Sequence, residues 1–251
     1  MCTVSWIRAP DGYELFCNRD ERTSRAPELP PSVERRGEVS FVAPRDGDAG
    51  GAWIAANDRG LSLALLNGQL GPCGSDQACC ASRGSLLADL AGNAGADEVR
   101  VALAAMDLGP FRPFTLLTLE PGGGALLVEW DGATTRVERD ADVCSPLASS
   151  AFDATRVRAR RLALLDDMAG AAGGRVTSAL LFAFHRSHGA GDFDGDCSPC
   201  LHGADAQTRS FCHVVVTPER VRFGYVPGPP CATAPLAPIV LARCARPALP
   251  T

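Results

Sequence analysis

The sequence predicts an α+β fold in which two β-sheets stack between helical layers. Three observations carry this expectation. Strand-like and helix-like segments come in blocks (β-rich, helical, β, helical, β) rather than as alternating single elements. No linker, internal repeat or composition break divides the chain, so residues 1–251 are expected to form one domain. With 251 residues, 46% of them hydrophobic, the chain can bury a sizeable core.

Taken in order, Thr3–Ile7 and Tyr13–Asn18 are short alternating runs separated by the turn signal Pro10-Asp11-Gly12. Glu38–Val42, Ala52–Ala56 and Leu61–Leu66 continue the β block, the last two joined by Asn57-Asp58-Arg59-Gly60 as a hairpin. Residues 68–83, rich in Gly, Cys and Ser, read as a loop. Ser85–Ala91 and Asp97–Ala105 have helical patterning. Strands resume at Phe114–Leu119, Ala125–Trp130 and Thr135–Arg139. Asp153 is placed to cap a helix running to Met168, with Val157, Leu164, Leu165 and Met168 as its apolar stripe. A further helix is expected over Arg175–Phe184 and a loop over 188–208. The hairpin Phe211–Val216 and Arg220–Val226 follows, with Ile239–Ala242 as an edge strand.

Composition excludes several functions. A net charge of −5 gives no basic face for a phosphate backbone, so nucleic acid is not expected as a partner. All 24 basic residues are Arg, which rules out a lysine base, a Schiff base and a P-loop lysine. No window approaches the ~20 apolar residues of a membrane helix. Arg8, Asp11 and Glu14 interrupt the start before a signal sequence could form, so a soluble cytoplasmic protein is expected. Disulfides rarely persist in that compartment. The 11 cysteines are then buried small residues, metal ligands or a reactive thiol.

Three stretches carry a family likeness. The first is Met1-Cys2-Thr3 followed by Phe16-Cys17-Asn18-Arg19-Asp20-Glu21-Arg22. The second is Ala43-Pro44-Arg45-Asp46 with Ala49-Gly50-Gly51-Ala52-Trp53-Ile54-Ala55-Ala56-Asn57, continuing through Gly60-Leu61 to Leu65-Leu66-Asn67-Gly68. The third is looser: Leu147–Asp153, then Cys200-Leu201-His202, Asp205-Ala206 and Thr208-Arg209-Ser210. With these blocks the chain resembles the NRDE family, also called the transport and Golgi organisation protein 2 family. That family is distantly similar to the choloylglycine hydrolase and penicillin acylase branch of the N-terminal-nucleophile (Ntn) hydrolases. The resemblance implies a four-layer αββα Ntn hydrolase-like sandwich. In the related acylases Arg and Asp are spaced apart, whereas Arg19 and Asp20 are adjacent here. An oxyanion-binding Asn of those enzymes aligns with Ser149.

The resemblance implies a site of Cys2, Arg19, Asp20, Asn67 and Ser149. Once Met1 is removed, Cys2 carries an α-amine (pKa about 7.7–8.0) beside a thiol (about 8.5), so one residue supplies base and nucleophile. Arg19 near the sulfur favours thiolate, and Asp20 holds the amine through a charge-assisted hydrogen bond. The Asn67 side chain or the Gly68 N–H donates to the oxyanion. Each residue also has a structural reading: Cys2 as a small buried strand residue, Arg19–Asp20 as a salt bridge, Asn57, Asn67 and Gly68 as turn residues. Gly50 and Gly51 serve close packing or positive φ rather than phosphate binding.

Cys197, Cys200 and His202 have ligand-like spacing for zinc, with Cys212 and His213 nearby and Cys73, Cys79 and Cys80 elsewhere in a loop. A second Cys-x-x-Cys pair is missing, so no metal and no cofactor are expected. His185 and His188 read as residues ending a helix. Asp192, Asp194 and Asp196 lack the glycine and glutamate spacing of a calcium loop. Two function classes remain. One is an N-terminal-cysteine amidohydrolase or acyl-transfer enzyme acting on an amide or thioester. The other is a non-catalytic carrier of a hydrophobic molecule such as haem or a lipid. For haem, a Cys thiolate would have to serve as axial ligand, since none of the four His has a recognisable haem context.

Overall fold

The computed structural model describes residues 2–68, 81–141, 145–150, 153–189 and 197–244. Among them the chain is mixed α+β, with two antiparallel sheets and four helices. Strands β1 (Cys2–Ala9) and β2 (Gly12–Arg22) form the opening hairpin, Ala9 facing Gly12 across the Pro10-Asp11 turn. They join β10 (Leu147–Ala148), β11 (Ala206–Val216), β12 (Arg220–Val226) and β13 (Ile239–Ala242) in the order β10-β1-β2-β11-β12-β13. The second sheet runs in chain order: β3 (Leu29–Arg36), β4 (Val39–Arg45), β5 (Ile54–Asn57), β6 (Ser62–Asn67), β7 (Phe114–Leu119), β8 (Leu126–Trp130) and β9 (Thr135–Arg139).

The period-2 alternation of these strands divides the core into three clusters. Leu15 and Cys17 of β2, Val214 of β11, Ala64 and Leu66 of β6 and Leu117 of β7 meet in one cluster that draws on both sheets. The alternate residues of the second sheet, such as Leu63, Leu65, Phe114 and Leu116, pack on α1 (Arg83–Leu90) and α2 (Ala96–Ala105). Phe16 and Phe211 of the first sheet pack with α3 (Ala154–Ala171) and α4 (Ser178–His185) through Leu165, Leu181 and Phe184. Burial on both faces explains why Leu63–Leu66 and Leu116–Leu117 read as unbroken apolar runs.

Local chemistry places the ends. Asp153 caps α3, its side chain accepting from the Arg156 N–H at 2.8 Å, and Thr177 caps α4 by accepting from Leu180 at 3.2 Å. The second helix therefore starts at Ser178 rather than Arg175. Asn57 is a turn residue: its Oδ1 accepts from Arg59 and Leu61, and its Nδ2 donates to the Ala91 and Asn93 carbonyls. The sequence reading gives no strand to β3 or β10. The first is an edge strand carrying Pro30 and Pro31, with Leu29 and Val33 more than half exposed, so it lacks an inward-facing apolar pattern. The second is only two residues long.

Gly50 and Gly51 serve the backbone, as their residue type suggests. Gly50 has φ +66°, and a Cβ on Gly51 would lie 2.7 Å from the Gly84 Cα. This close approach lets the Ala52 N–H donate to the Gly84 carbonyl at 3.0 Å, tying the approach to β5 onto α1. Gly51→Ala is expected to destabilise the chain by about 1–3 kcal/mol, because backbone rather than a side chain must give way. Urea midpoints of the two proteins measure it, and a shift under about half a kcal/mol would show that α1 adjusts freely.

Candidate functional site

The β1–β2 register places Cys2 opposite Arg19 and Val4 opposite Cys17. On the other side of β2, Cys212 of β11 is opposite Cys17. Side chains facing each other across a ladder share a face, so three buried thiols gather on the face turned toward the second sheet. Cys2 itself is 6% exposed. Its strand end is clasped by Ser149: the Cys2 N–H donates to Ser149 Oγ at 2.9 Å, and the Ser149 N–H donates back to the Cys2 carbonyl at 3.0 Å.

The three thiols differ in acidity. A hydrogen bond from the Cys17 thiol holds the Cys2 thiol below its ordinary value, against the opposing effect of burial; Arg19 adds a smaller lowering. Donating that proton holds the Cys17 thiol well above the usual range. Burial pushes Cys212 up as well. The competing acceptor for the Cys17 proton, the Asn18 carbonyl, lies at 3.8 Å, and a thiolate is the stronger acceptor. Of the three thiols, Cys2 is therefore the one that ionises most readily.

Arg19 and Asp20 follow each other in the chain, so strand alternation sends them to opposite faces. Arg19 shares the Cys2 face. Its guanidinium pairs with Asp46, with Glu28 at 2.5 Å and with Glu21 at 3.4 Å, and lies 4.6 Å from the Trp53 ring centroid. Its charge is thus shared among three carboxylates and an aromatic face. Asp20 turns to the helix side, where Thr208 Oγ1 donates to it at 2.6 Å and Arg161 approaches at 3.4 Å. Arg161 also donates to the Thr3 hydroxyl and to the carbonyls of Cys197 (3.0 Å) and Ser198 (2.7 Å). The sequence reading overlooks Arg161 because it draws the buried stripe of this helix from apolar residues alone. Its spacing was the available signal, since Val157, Arg161 and Leu165 stand four residues apart on the buried stripe of α3.

The expected oxyanion donors are placed differently from each other. Asn67 ends β6 exposed, lining a groove with Phe114, Trp130, Ala148, Arg158 and Leu162. The Gly68 N–H, by contrast, already donates to the Pro113 carbonyl at 2.9 Å, because β6–β7 pairing continues one residue past the strand. It is therefore unavailable to an oxyanion. Ala148 brings the Ser149 backbone to the edge of the same groove.

Behind β1, His185 closes α4 fully buried, its Nε2 2.8 Å from Ser5 Oγ. Burial pushes its pKa down to about 3. As pH falls below about 6.5 the unfolded chain takes up this proton before the folded one, so stability is full above that pH and drops by about 1.4 kcal/mol per unit below it. Burial lowers His213 too, despite its 2.7 Å contact with Glu14, and adds in the same direction. Urea midpoints at pH 7.5 and 5.5 are expected to fall less for His185→Gln than for wild type. Equal losses would remove His185 as the cause.

Solved structures share this arrangement of sheets and helices. A mutant conjugated bile acid hydrolase from Clostridium perfringens superposes with TM-score 0.53 at 12% identity, over 98% of this chain and 97% of that one. The Caenorhabditis elegans ortholog of N-acylethanolamine-hydrolyzing acid amidase gives 0.57 at 10% identity, over 85% and 92%. Both are Ntn hydrolases, and at this identity the likeness is one of fold. No curated protein matches the chain. The family model of Transport and Golgi organisation 2 matches residues 1–140. The chain belongs to the Transport and Golgi organisation 2 family. The matched span holds Cys2, the Asn18–Glu21 block, Asp46, Trp53 and Asn67; Ser149, Arg161 and the loop before β11 lie beyond it.

Proposed function

We propose that this Transport and Golgi organisation 2 family member is an N-terminal-cysteine amidohydrolase or acyl-transfer enzyme acting on an amide or thioester. The proposal treats residues 1–251 as one domain with a four-layer αββα order. The observation that carries it is the clasped strand end at Cys2: its backbone nitrogen is held by Ser149 Oγ, and its thiol, gathered with Cys17 and Cys212, titrates below its ordinary value.

In this reading, removal of Met1 turns the Cys2 nitrogen into a free α-amine that Ser149 Oγ orients. The amine takes the thiol proton and the thiolate adds to the substrate carbonyl. The tetrahedral intermediate expels the amine or thiol leaving group, which receives the proton from the Cys2 ammonium. Water, deprotonated by the same amine, then cleaves the thioester and frees the carboxylic acid. Asn67 is the candidate oxyanion donor, because Gly68 is committed elsewhere. Arg19 and Asp20 act at one remove, anchoring the strand on its two faces. The acyl group lies in the groove, whose wall includes Trp130 and Leu162. The partner in this reading is a small molecule rather than nucleic acid, the net charge being −5; no helix of the described residues is long and apolar enough to cross a membrane. A reduced cytoplasm suits the thiol.

Intact-mass spectrometry before and after a brief low dose of iodoacetamide, with peptide mapping, tests the reading. Loss of Met1 and alkylation of Cys2 ahead of the other cysteines are expected. Retained Met1, or Cys2 reacting no faster than the rest, sinks it. The second reading, a carrier of a hydrophobic molecule, then takes over, favoured by Trp130 and Leu162 in the groove wall and by the occupied Gly68 N–H.

A further inference from the structure

The spacing Cys197, Cys200, His202 does not survive folding as a unit. Cys197 is buried with its carbonyl on Arg161, Cys212 sits in the thiol cluster between the sheets, and His213 stacks on Phe16 with centroids 4.5 Å apart. Cys200 and His202 instead meet two residues from elsewhere. His188 follows the end of α4, and Cys231 lies in the turn after β12. One ligand atom from each of the four falls within 4.8 Å of all the others.

We propose that His188, Cys200, His202 and Cys231 form a structural zinc site. Zn–S bonds of about 2.3 Å and Zn–N bonds of about 2.0–2.1 Å at tetrahedral angles require S···S of about 3.8 Å and S···N of about 3.5 Å. The Cys200 and Cys231 sulfurs are 3.6 Å apart, and His202 Nε2 is 3.7 Å from the first and 3.2 Å from the second. Three corners thus stand at coordination spacing. His188 supplies the fourth: its Nδ1 lies 3.0 Å from the Cys200 carbonyl, which leaves Nε2 for the metal. A backbone carbonyl on the second ring nitrogen is the usual support of a zinc-bound imidazole. His188 and His202 are exposed, so the ion enters from solvent, and the His188 ring needs to close by about an ångström to complete the tetrahedron. Two thiolates and two neutral imidazoles are a donor set zinc favours, and four protein ligands leave no open position for catalysis.

The site's position gives it a purpose in the fold. It would staple the loop entering β11 to the turn leaving β12. That loop presents the Cys197 and Ser198 carbonyls to Arg161 and the Pro199 carbonyl to Asn18 Nδ2 at 2.7 Å. Leu201 donates to Thr208 Oγ1, which donates onward to Asp20. Zinc would therefore fix the polar layer behind β1 and β2.

The test uses the reduced full chain, stripped with chelator, loaded with excess zinc sulfate and desalted. One zinc per chain by elemental analysis and a higher Tm than the stripped protein are expected. Cobalt in its place should give thiolate charge-transfer bands with intense tetrahedral d–d absorption. Cys231→Ser and His202→Ala should lose the metal, while Cys244→Ser, an exposed cysteine outside the group, keeps it. If Cys231→Ser does not fold, the wild-type cobalt spectrum decides alone. The proposal fails if desalted wild type holds no zinc, if cobalt shows no thiolate band, or if Cys231→Ser and His202→Ala both retain the metal. It fails equally if Cys200 and Cys231 form a disulfide in air at the same rate with and without zinc.

Discussion

Arg161→Met is expected to lower the stability of the chain by about 3–5 kcal/mol, the cost of leaving a buried carboxylate without its cationic partner. Asp20 is fully buried and Arg161 is 2% exposed, so water cannot replace the lost guanidinium. Three further acceptors lose their donor at the same time: the Thr3 hydroxyl and the carbonyls of Cys197 and Ser198. For a chain of this length the loss corresponds to a fall in Tm of roughly 6–20 °C. Arg161→Lys should recover only part of it, since a point charge on a flexible stem cannot reach acceptors spread around a planar fork. Pairing Arg161→Met with Asp20→Asn should cost less than the sum of the two single changes, because the orphaned charge is gone. Calorimetry of the four variants (Arg161→Met, Arg161→Lys, Asp20→Asn and the double change) measures this. A loss under about 1 kcal/mol for Arg161→Met would mean that the other groups around Asp20, Thr208 among them, satisfy it and that the pair carries no structural weight.

Arg161 also marks where sequence reading stops. Strands were legible wherever apolar residues recur every second position or run unbroken, as at Leu61–Leu66 and Phe114–Leu119, because burial on one or both faces leaves that trace. The edge strand β3 left no such trace, its residues being mostly exposed. The Asn18–Glu21 block was legible as a motif, yet its division between two faces follows only from knowing that β2 continues through it to Arg22. Cys17 hid for a similar reason: its contact with Cys2 depends on the hairpin register rather than on any spacing in the chain. The cluster at His188 was the least accessible. Two of its members sit in segments joined only when β11 and β12 pair, and the residues nearest in sequence, Cys197 and Cys212, pointed elsewhere. Short-range spacing locates a metal site when one loop supplies the ligands, and here three segments do.

Cys2→Ala is expected to abolish acyl transfer, by at least about 10⁴-fold in kcat for a residue that both attacks and carries the base. Because Cys2 is a small buried residue, the same change should leave the fold intact, with a Tm within a few degrees of wild type. Cys17→Ala separates chemistry from packing. It removes one sulfur from the core and leaves the nucleophile in place, but it withdraws the hydrogen bond that favours the Cys2 thiolate. Alkylation of Cys2 by iodoacetamide should therefore slow at neutral pH and approach the wild-type rate as pH rises and the thiol ionises unaided. A merely structural Cys17 would change access to Cys2 equally at every pH, so the whole rate profile would shift without changing shape. Convergence at high pH supports an activated nucleophile. Parallel profiles, with Cys2→Ala retaining activity toward an amide or thioester that wild type cleaves, would leave the thiol cluster as packing and move the chemistry away from the strand end.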